Sequence, residues 1–403
     1  MTPANPVDGA RDNRRNVLIL AICQALSMSG SSLVMTISAL AGQILATDKS
    51  LATVPLALQF TATMLSTIPA SLFMGRVGRR VGFTLGQIVG MVGAAISCWA
   101  LFEGDFWLFA GGSALLGVHN SFWQYYRFAA ADSAGPELRA KAISYVMAGG
   151  VIAAVLGPQI SKWTIDLFDP VLFAGGYAGI ICLSFITLFL LQLVRIPKPN
   201  ATTFAAGGRP LLEIVRQPTF ILAVMTAMFG YSVMTLVMTA TPLAMTVCGF
   251  GFSTTASVIQ GHILAMFAPS FFTGHLIKRF GVINVIIAGT VLNVSAMAVN
   301  LAGINVANFA GGLILLGLGW NFMFIGGTTL VTETYRPEEQ SKVQALNDFL
   351  VFTMVAAASF SSGALQATLG WEAVNMALSV PMFAVFATAI WYKTAFPAKG
   401  AES

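Results

Sequence analysis

LLGVHNSFW, residues 115–123, recurs 200 residues later as LLGLGWNF, residues 315–322. Two other short stretches recur at nearly the same spacing: MGRVGRRVG at 74–82 with IKRFGV at 277–282, and RAKAIS at 139–144 with SKVQAL at 341–346. Offsets of about half the chain length indicate an internal repeat in which each copy forms one structural unit. The sequence therefore predicts a fold made of two similar halves.

The composition predicts that both halves lie in a membrane. Of 403 residues, 56% are hydrophobic and only 9% are charged, with a mean hydropathy of +0.79. So little charge is typical of a polytopic membrane protein. Lipid cannot satisfy backbone hydrogen bonds, so each span must be a helix of about 20 apolar residues. The apolar runs predict twelve spans, at 17–40, 51–73, 82–101, 107–128, 143–163, 174–194, 219–243, 256–276, 282–303, 307–330, 346–366 and 373–392.

The distribution of Lys and Arg predicts the orientation. With the N-terminus inside, 18 Lys and Arg residues fall in inner segments, and only Lys49 and Lys162 fall on the outer side. This asymmetry predicts that both termini are cytoplasmic, and membrane lipid is the expected partner around the spans. It also explains the net charge of +5 without a nucleic-acid partner.

The order of the spans suggests a family. Six spans in each half keep the two repeats parallel, which resembles the major facilitator superfamily. The resemblance extends to a cytoplasmic loop motif matched here by Arg76, Gly78, Arg79 and Arg80, although Gly75 stands where the family has an acid. It implies two pseudo-symmetric six-helix bundles in an all-α membrane protein. The expected divisions are a cytoplasmic tail 1–16, bundles 17–194 and 219–392, a flexible cytoplasmic linker 195–218 and a cytoplasmic tail 393–403.

Soft side chains dominate the interior of the predicted spans. No Asp or Glu lies deep in any of them, whereas YSVMTLVM at 231–238 and GHILAM at 261–266 space sulfur and imidazole groups four residues apart. Residues at i and i+4 share a helix face. Thioether and imidazole groups suit monovalent copper better than hard cations. Met234, Met238, His262 and Met266 are therefore predicted to form a two-step copper ladder, although methionine also fills gaps in ordinary helix packing.

The two motifs also resemble those of the CcoA-type copper importers of bacteria. The resemblance implies that the chain imports copper, as Cu(I), across the bacterial inner membrane by alternating access and supplies it for haem–copper oxidase assembly. Copper is then the transported substrate and not a prosthetic group. A periplasmic copper donor and a cytoplasmic copper chaperone are the expected partners.

Other residues have weaker predicted roles. Cys248, at the outer end of the seventh span, and His119, within the fourth, are candidate accessory metal or redox residues. For His119 a hydrogen bond to a neighbouring backbone group is the alternative. Arg127 and Asp348 occupy comparable inner positions in the two halves and are a candidate gate.

Two alternative functions remain open. The same subfamily includes riboflavin importers, so the solute could be organic, with the aromatic stretch FWQYYRF at 122–128 stacking a flat ring or forming an interfacial belt. A non-transporting copper sensor or scaffold would need a signalling domain or a long tail, which this sequence does not contain. No nucleophile triad, phosphate loop or closed metal site is present, so an enzyme is not expected.

Overall fold

The computed structural model of the chain describes residues 6–134, 139–194, 208–336 and 339–396. Over these residues the regular structure is helical and contains no strand. The chain divides into two compact units, one formed by residues 1–47 and 54–203, the other by residues 48–53 and 204–403.

The helices of the first unit, over its described residues, are α1 Pro6–Leu45, α2 Val54–Val77, α3 Arg79–Glu103, α4 Phe106–Trp123, α5 Tyr126–Ala134, α6 Arg139–Thr164 and α7 Ala174–Leu191. Those of the second unit, within the part of the chain that the structure describes, are a 3₁₀ turn Lys49–Leu51 and α8 Leu211–Val215, α9 Pro218–Val247, α10 Phe252–Phe267, α11 Ser270–Phe280, α12 Val282–Leu301, α13 Val306–Thr332, α14 Gln340–Thr368, α15 Gly370–Met376 and α16 Ser379–Ala395.

The helices account for the twelve predicted spans. Among the described residues, nine helices are long and apolar enough to cross a membrane, or ten if the bent pair α10–α11 is one span. The remaining two predicted spans correspond to α4–α5 and to α6. The prediction of an all-α membrane protein with twelve spans is confirmed.

Three predicted spans are not continuous helices. The fourth breaks after Trp123. There the Tyr125 N–H donates to the Phe122 carbonyl at 3.1 Å, three residues back instead of the four of an α-helix, so the turn is tighter. The eighth bends by 42° before Ser270, because Pro269 has no N–H to continue the helix. The twelfth consists of α15 and α16, joined at residues 377–378.

The unit boundaries differ from the expected ones at two places. Residues 48–53, predicted to include the end of the first connection and the start of the second span, belong to the second unit. There Thr53 Oγ1 donates to the Ser359 carbonyl at 2.7 Å and accepts from the Gly363 N–H at 3.1 Å. The expected tail also contributes to a helix, since α1 begins at Pro6.

The expected flexible linker lies partly outside the described residues, which resume at residue 208. Its described end is held in place, because Arg209 pairs with the buried carboxylate of Glu339 at 2.7 Å. The flexibility of the segment as a whole stays a prediction.

The internal repeat is visible in the backbone. Gly78 and Gly281, 203 residues apart, precede α3 and α12 with φ values of 94° and 84°, a region that L side chains rarely adopt. At the same offset, SLVMT at 32–36 in α1 recurs as TLVMT at 235–239 in α9. The two units thus place equivalent residues at equivalent turns.

The contact between helices repeats as well. A Cβ on Gly117 of α4 would collide with the Gln59 carbonyl of α2, and a Cβ on Gly317 of α13 with the His262 carbonyl of α10. Gln59 and His262 are again 203 residues apart. This register makes it possible to compare the candidate site residues of one unit with their counterparts in the other.

Candidate functional site

The four predicted copper ligands are buried within the second unit. Met234, Met238, His262 and Met266 are 2%, 4%, 0% and 5% exposed, so none faces lipid. However, α9 and α10 contact each other at few positions: α10 packs mainly on α13, and α9 packs on both α14 and α13. The two-step ladder stays a prediction, since burial alone is also what helix packing gives.

His262 has one free ring nitrogen. Its Nδ1 lies 2.7 Å from the Leu313 carbonyl of α13, which makes Nδ1 the donor and leaves Nε2 with a lone pair. Nε2 is buried without a hydrogen-bond partner among the described residues. Met266 contributes its backbone, since its carbonyl accepts from Asn321 Nδ2 at 2.7 Å.

In the first unit, His119 lies beside a small polar cavity. Its Nδ1 is 3.0 Å from the Gly86 carbonyl, and its ring borders a cavity of about 10 Å³, roughly the size of one water. The polar residues around that cavity are Ser27, Ser31, Gln59, His119, Asn120 and Ser184. Ser31 and Gln59 occupy the repeat positions of Met234 and His262, whereas Met238 has a methionine, Met35, as its counterpart.

The other predicted site residues are separate from these groups. Cys248 is the C-cap of α9 and is half-buried. Arg127 and Asp348 belong to different units, and their pairing as a gate stays a prediction. In the loop motif, Arg76 lies in the last turn of α2, Gly78 supplies the turn, and Arg79 and Arg80 begin α3. Arg80 Nη2 donates to Gln192 Oε1 at 3.1 Å, so it ties α3 to the end of α7.

The aromatic stretch of the fourth span is largely structural. Phe122 and Tyr126 are buried in the core of the first unit, and the ring of Tyr126 meets Phe83 edge to face at 4.6 Å. The Tyr126 hydroxyl accepts from Gln87 Nε2 at 2.8 Å, and Trp123 Nε1 donates to Asn120 Oδ1 at 2.9 Å. Phe122 and Tyr126 are therefore enclosed in the core, and a stacking surface or an interfacial belt formed by the rest of the stretch stays a prediction.

A second aromatic group, which the sequence did not predict, lies in the second unit. Trp320 of α13 stacks on Phe324 with centroids 5.0 Å apart and planes 9° from parallel. Tyr231 of α9 meets both rings edge to face, at 5.5 and 5.6 Å, and Phe352 of α14 lies 5.9 Å from Tyr231. Phe267 of α10 meets Trp320 at 5.9 Å. We call these five residues the aromatic cluster.

The aromatic cluster is only partly enclosed. Trp320 is 6% exposed, whereas Tyr231, Phe267, Phe324 and Phe352 are half-buried. Trp320 Nε1 is buried and has no hydrogen-bond acceptor among the described residues. Leaving a buried donor unpaired costs about 1–3 kcal/mol, so a hydrogen-bond acceptor placed at this N–H would be stabilising. The only hint in the sequence was the i, i+4 pair Trp320 and Phe324.

Two repeated bundles of apolar helices define a polytopic membrane protein of the transporter type. The model of the Major Facilitator Superfamily matches residues 20–269, and the chain belongs to that superfamily. The crystal structure of the superfamily transporter FucP in the outward conformation has a TM-score of 0.60 at 17% identity, covering 93% of this chain and 98% of FucP, which shows the fold.

Two bacterial transporters are similar to this chain over most of its length. The riboflavin transporter RfnT of Brucella anthropi is 44% identical over 366 residues, covering 90% of this chain and 92% of RfnT. The uncharacterised superfamily transporter YddS of Bacillus subtilis is 26% identical over 397 residues, covering 94% and 91%. The chain is therefore a multi-pass membrane transporter.

The prediction of a copper importer that supplies oxidase assembly is contradicted by the identity to RfnT, which extends over nearly the whole chain. The two motifs cover few residues in a chain with 18 methionines. Methionine packs readily in irregular apolar interiors, so the spacing alone was a weak indication of a transported metal.

Proposed function

We propose that the chain imports a flat, neutral organic solute such as riboflavin across the bacterial inner membrane. The observation that carries this proposal is the 44% identity to a riboflavin transporter over 90% of the chain. Transport, and not catalysis, is the activity, and both termini lie in the cytoplasm. The solute site opens alternately to the two sides of the membrane.

The charge distribution of the helices supports a neutral solute. Neither α9 nor α13 contains a charged residue or a histidine. A buried charge without a partner is costly, and a membrane interior built for an anion would be expected to supply a cation. Riboflavin has no net charge at neutral pH and presents a large aromatic surface, which such a lining can accept.

Uptake measurements test the proposal. Bacteria that cannot make riboflavin and lack their own importer are supplied with the gene, and uptake of radiolabelled riboflavin and of radiolabelled copper is followed in parallel. We expect riboflavin uptake well above cells carrying the empty vector, and copper uptake equal to that control. Copper uptake without riboflavin uptake would overturn the proposal.

A further inference from the structure

The aromatic cluster lies where four helices of the second unit come together. Its rings come from α9, α10, α13 and α14, and four of the five are half-buried. Aromatic rings in a closed hydrophobic core normally bury each other completely. Here four of the side chains keep part of their surface exposed, around one buried indole.

The internal repeat shows that the fold does not require these rings. In the first unit, the residues equivalent to Tyr231, Phe267, Trp320, Phe324 and Phe352 are Met28, Met64, Asn120, Gln124 and Gly150. None of the five counterparts is aromatic, although the helices of both units repeat the same glycine-mediated contacts. Because the five aromatic residues occur in only one of the two repeated units, they indicate a function particular to the second unit.

The chemistry of the cluster suits one class of ligand. Trp320 and Phe324 are nearly parallel, and a flat ring system can extend such a stack. The Trp320 N–H has no acceptor among the described residues, and a carbonyl oxygen or ring nitrogen at the ligand's edge would provide one.

We propose that the aromatic cluster binds the flat, fused-ring part of the transported solute, with Trp320 donating from Nε1 to an acceptor on the ring edge. This inference rests on the proposed function for the identity of the solute. It adds the place of binding and the residues that select a planar heteroaromatic ring.

Binding and uptake are measured separately on the same variants. Purified full-length protein in detergent is titrated with riboflavin and with lumichrome, which has a fused tricyclic ring and no ribityl chain, using quenching of their fluorescence. Replacing Trp320 by Leu should raise Kd for both probes about ten- to a hundredfold, because ring stacking is lost. Trp320→Phe keeps a ring but removes the N–H and should raise Kd about three- to tenfold.

Trp371 provides a matched control. It is also buried, at 8% exposed, lies 5.0 Å from Phe309, and has an Nε1 with no acceptor among the described residues, yet it lies outside the cluster on α15. Trp371→Phe should change Kd less than twofold. Phe352→Leu, at a half-buried position, tests the cluster with less risk to folding and should raise Kd about fivefold. Size-exclusion profiles report whether each variant folds.

The outcomes separate the two proposals. Binding of both probes that depends on Trp320 and Phe352 supports the inference, whether or not riboflavin is taken up. Such binding without uptake would overturn the proposed function alone. Uptake that the cluster variants leave unchanged, or the absence of binding of either probe to the wild-type protein, would overturn the inference.

Discussion

Glu339, at the start of α14, is a carboxylate with no exposed surface, and it pairs with Arg209 at the described end of the expected linker. It accepts hydrogen bonds from the backbone N–H, Nε and Nη2 of Arg209 and from the backbone N–H of Arg336. The hydrogen bonds from the Arg209 side chain are the main reason why the pKa of Glu339 lies well below its usual range. The pair fixes the chain before α8 to the start of α14.

The substitution Glu339→Gln keeps the shape of this side chain but removes its charge. We expect the thermal unfolding temperature in detergent to fall by several degrees, because Arg209 loses its counter-charge in a buried place. Glu213→Gln, the same change at an exposed position in α8, should have no effect. Equal unfolding temperatures for Glu339→Gln and wild type would show that the pair does not hold the linker.

The pH dependence of this effect has a definite sign. A carboxyl whose pKa is lowered by folding contributes stability that is complete above its unfolded pKa, about 4.3 for Glu, and that is lost as the pH falls towards the folded value. The difference in unfolding temperature between wild type and Glu339→Gln should therefore stay constant from about pH 8 to about pH 5 and shrink only below about pH 4. A difference that already shrinks between pH 8 and pH 6 would contradict the assignment.

At the scale of elements, the bend between α10 and α11 has a specific support. Pro269 interrupts the helical hydrogen bonds, and Asn321 of α13 compensates by donating from Nδ2 to the Met266 carbonyl at 2.7 Å and to Ser270 Oγ at 2.8 Å. Asn321 Oδ1 accepts from Thr273 Oγ1 at 2.6 Å. One side chain thus joins both halves of the bent span to its neighbour.

Replacing Asn321 by Ala should destabilise the protein by about 1–3 kcal/mol, since the Met266 carbonyl would be buried without a donor. Thermal unfolding in detergent measures this loss. Asn284→Ala removes an exposed amide that donates to the Phe280 carbonyl and accepts from Lys393 Nζ, both at the surface, and should have a small effect. If both variants unfold at the wild-type temperature, the bend depends on Pro269 alone.

The sequence predicts spans better than it predicts their irregularities. Apolar length is local, so twelve spans could be located from hydropathy. Predicting the bend would have required considering Pro269 together with Asn321. Asn321 is 52 residues away in the sequence and comes close to the bend only in the folded protein. Pro242 also lies inside a predicted span, yet α9 continues through it from Pro218 to Val247. A proline therefore does not by itself predict a break.

At the scale of the whole molecule, the repeat could be predicted from the sequence, but the significance of the residues that differ between its two copies could not. Trp320 stands within the very stretch that reveals the repeat, opposite Asn120. Its partners Tyr231 and Phe352 are far from it in the sequence, so their convergence depends on how α9, α13 and α14 pack. Short Met and His spacings, by contrast, can be recognised within a few residues of the sequence. The copper prediction rested on them, although burial alone does not distinguish metal ligands from packing residues.

The orientation of the whole molecule follows from charge and leads to the last prediction. Eighteen Lys and Arg residues fall on one predicted side and two on the other, and Lys and Arg near the ends of spans resist translocation. Green fluorescent protein fused after Gly208 or Ser403 should be fluorescent, and alkaline phosphatase fused there should be inactive, because the charge distribution predicts that both positions are cytoplasmic. A fusion after Gly104 should show the reverse pattern. Phosphatase activity at Ser403 together with fluorescence at Gly104 would mean that the chain is inserted the other way round, and that the proposed direction of transport must be reconsidered along with it.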